Sequence, residues 1–91
     1  MEQKINLTIK PETAKGTYSN MLLITHTNSE FILDFAQSFP GMEQGEIAAR
    51  IIITPEHAKN IANALADNIQ KYENERINKT TFVLPAGAAK A

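Results

Sequence analysis

Cysteine is absent from this chain of 91 residues. Its absence excludes disulfides, thiolate catalysis, and the zinc or iron–sulfur sites that depend on cysteine ligands. A chain of this length has room for one small domain with one core, and such a core gives little stability without covalent or metal staples. Association with further copies buries more surface, so we expect the protein to gain stability by forming oligomers.

An excess of one charge and long apolar runs are also missing. The formal net charge is -1, and no basic-aromatic pattern runs along the chain, so we predict no nucleic-acid partner and no membrane partner. No apolar run approaches the length that spans a bilayer. The polar residues 1–4 lack the apolar region of a signal peptide, and we expect a cytoplasmic protein.

The sequence patterns of phosphate and metal chemistry are absent as well. Gly41 and Gly45 flank a loop that has neither the lysine nor the following helix of a phosphate-binding loop. A metal site needs several converging ligands. We expect His57 to be a solvent-facing polar residue in the first turn of a helix, and His26 to end a strand beside a turn. We therefore predict no cofactor and no metal.

What the sequence does contain is a strand that runs directly into a helix. Residues 46–53 alternate in the manner of a strand, and Thr54 follows as a helix N-cap whose hydroxyl accepts a bond from the first turn. Pro55 fits the first helical position, where its missing N–H is not needed. The helix carries an apolar stripe at helical spacing: Ala58, Ile61, Ala62, Leu65, Ile69 and Tyr72.

Three earlier segments also show strand patterns. Residues 5–10 alternate apolar and polar side chains, residues 17–25 contain an apolar run, and residues 30–39 place aromatic and aliphatic side chains on one stripe. A helix is a competing interpretation of residues 30–39, but the alternation and the aromatic content favour a strand.

These elements predict an α+β fold: a four-stranded antiparallel sheet followed by one C-terminal helix packed on one sheet face. Residues 1–78 form the predicted single domain, and residues 79–91 form a C-terminal tail that we predict to be disordered. Within the tail, residues 81–84 are short and apolar; they either dock as an arm on a neighbour or belong to a loose tail.

Strand alternation divides the sheet residues into two sets. The set expected beneath the helix contains Leu22, Ile24, Phe31, Leu33, Phe35, Ile51 and Ile53. The opposite set mixes apolar and charged residues: Met21, Leu23, Ile32, Asp34, Arg50 and Ile52. A register slip of one residue would exchange the two sets.

One helix cannot cover both sheet faces, and an uncovered apolar face usually marks an interface. We predict that the opposite set is the interface of a homo-oligomer, most simply a two-fold dimer. The alternative is that the C-terminal arm folds back over this face.

A catalytic interpretation depends on His26. With Ser19 and Asp34 it supplies the residue types of a hydrolytic triad, but no nucleophile elbow surrounds Ser19. Glu30 and Asp34 lie in an otherwise apolar segment, and Asp34 is better explained by pairing with Arg50 on another strand. We predict that the protein is not an enzyme; a small enzyme that uses His26 with Asp34 or Glu30 is the least favoured alternative.

The chain also shows a family resemblance. The blocks that carry it are Tyr18-Ser19-Asn20, Ile24-Thr25-His26, Glu30-Phe31, Leu33-Asp34-Phe35, Pro40-Gly41, Arg50-Ile51-Ile52-Ile53-Thr54-Pro55-Glu56-His57-Ala58-Lys59 and Tyr72-Glu73. In these blocks and their spacing the chain resembles a family of small bacterial proteins classed as domain of unknown function three-four-six-seven. The resemblance implies the same sheet-then-helix arrangement. It implies no activity and no functional residue.

A looser likeness is topological. Four antiparallel strands followed by a helix are similar to the protomer of the export chaperone SecB, which assembles through its sheets and binds unfolded chains. We therefore rank three hypotheses. The first is a non-enzymatic, self-associating binding or interaction module, with a further protein partner left open. The second is a SecB-like chaperone for unfolded polypeptide, and the third is the small enzyme.

Overall fold

The computed structural model describes residues 5–75 and 83–85. In chain order its elements are the helical turn α1 (Pro11–Ala14), the strands β1 (Met21–His26), β2 (Phe31–Gln37) and β3 (Glu46–Ile53), and the helix α2 (Pro55–Glu75). The α+β class, the antiparallel sheet and the C-terminal helix are confirmed. The predicted bounds of the strand at residues 46–53 agree with β3.

The sheet is a simple meander in the order β1-β2-β3, and both neighbouring pairs are antiparallel. A tight turn joins β1 to β2: the N–H of Thr27 donates to the carbonyl of Glu30 at 2.9 Å, and the Thr27 hydroxyl accepts from the N–H groups of Ser29 and Glu30. The longer connection to β3 turns at Gly41, whose φ of 92° favours glycine. Because β2 pairs with both other strands, β1 and β3 are the two edges of the sheet.

The prediction of a fourth strand at residues 5–10 is wrong, because the sheet has three strands. Residues 5–10 lie outside helix and strand, and the next residues form α1 and then turn at Gly16, whose φ is 80°. A strand needs a partner within hydrogen-bonding reach, and alternation in sequence does not supply one. The connection through α1 does not fold this segment back onto β1.

The prediction also started the next strand too early, at residue 17 rather than at Met21. Here the N–H of Asn20 still donates to the carbonyl of Ala36 at 3.1 Å, and side-chain bonds add to this backbone bond. Asn20 donates from Nδ2 to the carbonyl of Ser38 at 2.9 Å and accepts from the Ser38 N–H at 3.0 Å. Gln37 donates from Nε2 to the carbonyl of Tyr18 at 2.8 Å. Polar side chains thus fasten the approach to β1 onto the end of β2.

The start of α2 follows the prediction from the sequence. The Thr54 hydroxyl accepts from the N–H of His57 at 3.1 Å, and the Thr54 carbonyl accepts from the N–H of Ala58 at 2.9 Å. Pro55 occupies the first helical position. Farther along α2, Lys71 and Asp67 form an i,i+4 ion pair of 3.1 Å.

The structure corrects the expectation that α2 covers one sheet face. Leu65 of the predicted apolar stripe is 58% exposed, and Ile24, expected beneath the helix, is 60% exposed. Thr54 alone separates β3 from α2, which is shorter than the usual strand-to-helix connection of about two to six residues. Such a short connection leaves the helix little freedom to turn back over the sheet.

The predicted tail, residues 79–91, falls mostly outside the described residues. Of it the structure describes residues 83–85, which lie outside helix and strand. The prediction of disorder and the domain boundary at residue 78 therefore stay predictions.

Candidate functional site

An ion pair lies at the centre of the sheet. Asp34 of β2 and Arg50 of β3 are direct cross-strand partners. Arg50 donates from Nε to Oδ1 of Asp34 at 2.6 Å and from Nη2 to Oδ2 at 2.9 Å. Both carboxylate oxygens therefore accept from one guanidinium group, the arrangement that gives arginine–carboxylate pairs their fixed geometry. The predicted pairing of Asp34 with Arg50 is confirmed.

The environment of the pair stabilises its charged form. The hydrogen bond from Arg50 lowers the pKa of Asp34, burial opposes that shift, and the positive charge of Arg50 adds to the lowering. The same hydrogen bond, together with the negative charge of Asp34, raises the pKa of Arg50. The two residues thus hold each other ionised, and this arrangement makes Asp34 a poor general base.

The strand register places the predicted interface residues on one face. Leu23 opposes Asp34 on one side, and Arg50 opposes Asp34 on the other. In the neighbouring rows Ile32 opposes Ile52, and Met21 opposes Ala36. We call this surface the ion-pair face; it comprises Met21, Leu23, Ile32, Asp34, Arg50 and Ile52. Its role as an interface stays a prediction.

The opposite surface of the sheet is also apolar. Register brings Leu22 opposite Phe35, Ile24 opposite Leu33, and Phe31 opposite Ile53. We call this surface the aromatic face; it comprises Leu22, Ile24, Phe31, Leu33, Phe35, Ile51 and Ile53. The division into two sets made from alternation therefore matches the observed pairing.

Both faces are open to solvent in the single chain. Leu23 and Ile52 on the ion-pair face are 48% and 54% exposed, and every residue of β1 is exposed. Among the described residues, Ala36 is the buried apolar residue and Asp34 the buried charged one. The apolar rows thus surround a nearly buried carboxylate without being covered themselves.

The residues of the catalytic hypothesis do not come together. His26 stacks on Phe31 with ring centroids 5.3 Å apart, which places it on the aromatic face, whereas Asp34 lies on the ion-pair face. The Ser19 hydroxyl donates to the carbonyls of Met21 and Ala36, at 2.9 and 3.0 Å. The arrangement therefore gives no triad of Ser19, His26 and Asp34.

Glu30 pairs with Thr27 in the row next to the His26–Phe31 row, and strand alternation directs adjacent rows to opposite faces of the sheet. The N–H of Glu30 donates to the Thr27 hydroxyl, and its carbonyl accepts from the Thr27 N–H.

In the part of the chain that the structure describes, no group of three or more His, Asp or Glu residues is placed to hold a metal ion.

Sequence reasoning missed one feature beside these faces. Tyr18 and Phe39 stack with ring centroids 5.8 Å apart, next to the side-chain bonds of Asn20 and Gln37. Polar residues directly before an apolar run, in Ser19-Asn20, were the available signal, because such side chains often bond the backbone at strand and helix ends. This cluster fixes the end of the hairpin and makes the register of the ion-pair face more secure.

The fold and this surface define a small α+β protein with an open antiparallel sheet followed by an amphipathic helix. Residues 1–77 match the family described as Protein of unknown function (DUF3467), and the chain belongs to that family. No curated protein and no solved structure matches the chain, so the likeness to SecB has no support. Within residues 5–75 and 83–85, no helix is long and apolar enough to cross a membrane.

Proposed function

We propose that the chain is a non-enzymatic, self-associating interaction module whose working form is a homo-oligomer, most simply a two-fold dimer. One observation carries the proposal: the described part of a single chain lacks a buried apolar core. Ala36 is its buried apolar residue, while large apolar side chains on both sheet faces and on α2 stay exposed.

The energetics of folding support this proposal. Ordering a residue costs about 1–2 kcal/mol in backbone entropy, and burial of apolar surface is the main term that offsets it. Leu65 and Tyr72 on α2 are 58% and 63% exposed, so these members of the apolar stripe of the helix bury little surface in the single chain. A second copy offers the same unsatisfied faces and so provides the missing burial.

The charge on the ion-pair face favours association between like copies. Asp34 and Arg50 neutralise each other within one chain, so the face presents no net charge that would select a partner of opposite sign. A two-fold interface brings identical patches together, which suits an apolar surface with balanced charge.

The arrangement of polar groups supports a non-enzymatic role. The carboxylate of Asp34 is held by Arg50, the Ser19 hydroxyl by backbone carbonyls, and the His26 ring by Phe31. Nucleophilic catalysis needs a nucleophile and a base within hydrogen-bond reach, and these three side chains do not meet.

The test is the molar mass of the protein across a dilution series, measured by light scattering, with circular dichroism recorded on the same samples. We expect a multiple of 10.1 kDa, and a loss of helical signal that accompanies dissociation at the lowest concentrations. A mass of 10.1 kDa at every concentration would overturn the proposal, whether or not the chain is folded.

A further inference from the structure

We propose that residues 5–10 of one copy add a fourth strand to the free edge of β1 in a second copy. This rests on the proposed self-association and names the element that carries it. The occupant of the β1 edge is thus a segment of the same protein, exchanged between copies.

The donor segment has the pattern of a strand but lacks a partner within its own chain. Leu7 and Ile9 are 80% and 65% exposed, and the backbone of Lys10 is extended, with φ of -77° and ψ of 149°. Residues 5–9 make no hydrogen bond with any other residue that the structure describes. Alternating apolar residues and unpaired backbone groups are the features of a segment that binds by adding a strand to an exposed sheet edge.

The acceptor is the outer edge of β1. The Thr27 N–H bond to the Glu30 carbonyl makes these two residues a hydrogen-bonded pair, and such pairs alternate along an antiparallel ladder. The pairing of β1 with β2 therefore leaves the backbone groups of Leu22, Ile24 and His26 directed away from β2. Among the described residues, no strand pairs with these groups, so they form a free edge of the sheet.

The β1 edge is better suited than the β3 edge. β1 pairs with β2 in unbroken register over six residues, and its sequence contains no proline, lysine or glutamate that would protect an edge. In β3 the register shifts beside Ala48, which has no partner on β2, and such bulges disturb further pairing. The donor segment also has six residues, so it matches β1 in length.

Exchange between copies is favoured over pairing within one chain. The ten residues between the donor segment and β1 form α1, held by the bond from the Ala14 N–H to the Lys10 carbonyl, and then turn at Gly16. In this arrangement the donor segment does not pair with β1 of its own chain. A second copy supplies the same edge without that constraint.

The absence of cysteine allows a direct test by cross-linking. Full-length Leu7→Cys protein is mixed separately with Leu22→Cys, Ile24→Cys and His26→Cys proteins, unfolded, refolded together and oxidised. A disulfide between two different variants can only join two copies, and it needs Cα atoms within about 7 Å. The matched control mixes Leu7→Cys with Ile52→Cys, which lies on β3.

A second test uses substitution without cross-linking. Leu7→Pro removes an N–H from the segment and fixes the backbone φ of residue 7, and Leu7→Val keeps both the N–H and strand propensity. We expect Leu7→Pro to raise the dissociation constant by about ten-fold or more while Leu7→Val leaves it near the wild-type value. Leu7 is 80% exposed in the single chain, so neither change disturbs its internal packing.

The outcomes separate this inference from the proposed function. Cross-links to β1 but not to Ile52→Cys, with weaker association of Leu7→Pro, support strand exchange. An oligomeric wild type that gives no cross-link to β1 and tolerates Leu7→Pro overturns strand exchange and leaves self-association standing. Cross-links to Ile52→Cys alone also overturn it, and a monomeric wild type overturns both.

Discussion

Arg50 holds both carboxylate oxygens of Asp34 from the neighbouring strand, yet the two side chains differ sharply in exposure. The side chain of Asp34 is 9% exposed, whereas that of Arg50 is 58% exposed. In this pair, therefore, the carboxylate is nearly buried while the guanidinium group remains accessible to water. This asymmetry predicts that the two residues are not equally replaceable.

Removing Arg50 should destabilise the protein more than removing Asp34. In the single chain, Arg50→Ala leaves a nearly buried carboxylate without its donors, while Asp34→Ala leaves a guanidinium that solvent can hydrate. The midpoint of urea unfolding, followed by circular dichroism, should fall furthest for Arg50→Ala. The Asp34→Ala/Arg50→Ala double variant should be more stable than Arg50→Ala alone, and equal midpoints for the two single variants would contradict this ranking.

The ion pair should make stability depend on acid pH. The pKa of Asp34 is lower in the folded protein than in the unfolded chain, so its contribution is complete above the unfolded value of about 4. That contribution is lost as the pH falls from there through the folded pKa. Unfolding midpoints measured between about pH 6 and about pH 2 should fall less steeply for Asp34→Asn than for wild type. Parallel curves would show that other carboxylates control the acid transition.

The N-cap of α2 should contribute measurably to stability. Thr54→Ala removes the acceptor for the His57 N–H and should cost about 1 kcal/mol in the free energy of unfolding. Thr54→Ser keeps the hydroxyl, and serine is at least as good an N-cap as threonine, so this matched control should stay close to wild type in the free energy of unfolding. The same loss for both variants would mean that the Thr54 methyl group, rather than its hydroxyl, stabilises the helix.

A charge in the middle of the ion-pair face should weaken the oligomer. Ile52 is 54% exposed in one chain, and Ile52→Lys would bury an unpaired ammonium group against a second copy. Light scattering should show a smaller mass at concentrations where wild type is assembled, with helical signal returning as concentration rises. Asn63→Lys, at an exposed position of α2, is the control and should leave the mass unchanged. An assembled Ile52→Lys protein with wild-type concentration dependence would place the interface elsewhere.

The strand β3 and the start of α2 were predictable because their sequence signals lie in neighbouring residues. Residues 46–53 alternate, Thr54 supplies a hydroxyl at the helix start, and Pro55 fits only the first turn, so β3 and the start of α2 follow from neighbouring residues. The Asp34–Arg50 pair was predictable because the two residues carry opposite charges in otherwise apolar strand segments, although only the register shows that they share a face. The bidentate hydrogen bonding between the two side chains depends on the strand register, which sequence alone does not set.

The prediction of a fourth strand was wrong because strand formation depends on a partner. Residues 5–10 carry as clear an alternation as β3, but the path through α1 and Gly16 keeps them from their own sheet. The predicted cover of the aromatic face by α2 depended in the same way on the direction that one residue, Thr54, gives to the helix.

Side-chain alternation, helix capping and composition were thus enough to establish the α+β class, the residues of each strand that share a face, and the start of the helix. Strand count, register and the exposure of both faces came only from the tertiary structure. The physical reason is distance: capping and alternation act between residues a few positions apart, whereas strand pairing and burial depend on which segments meet after the chain has turned.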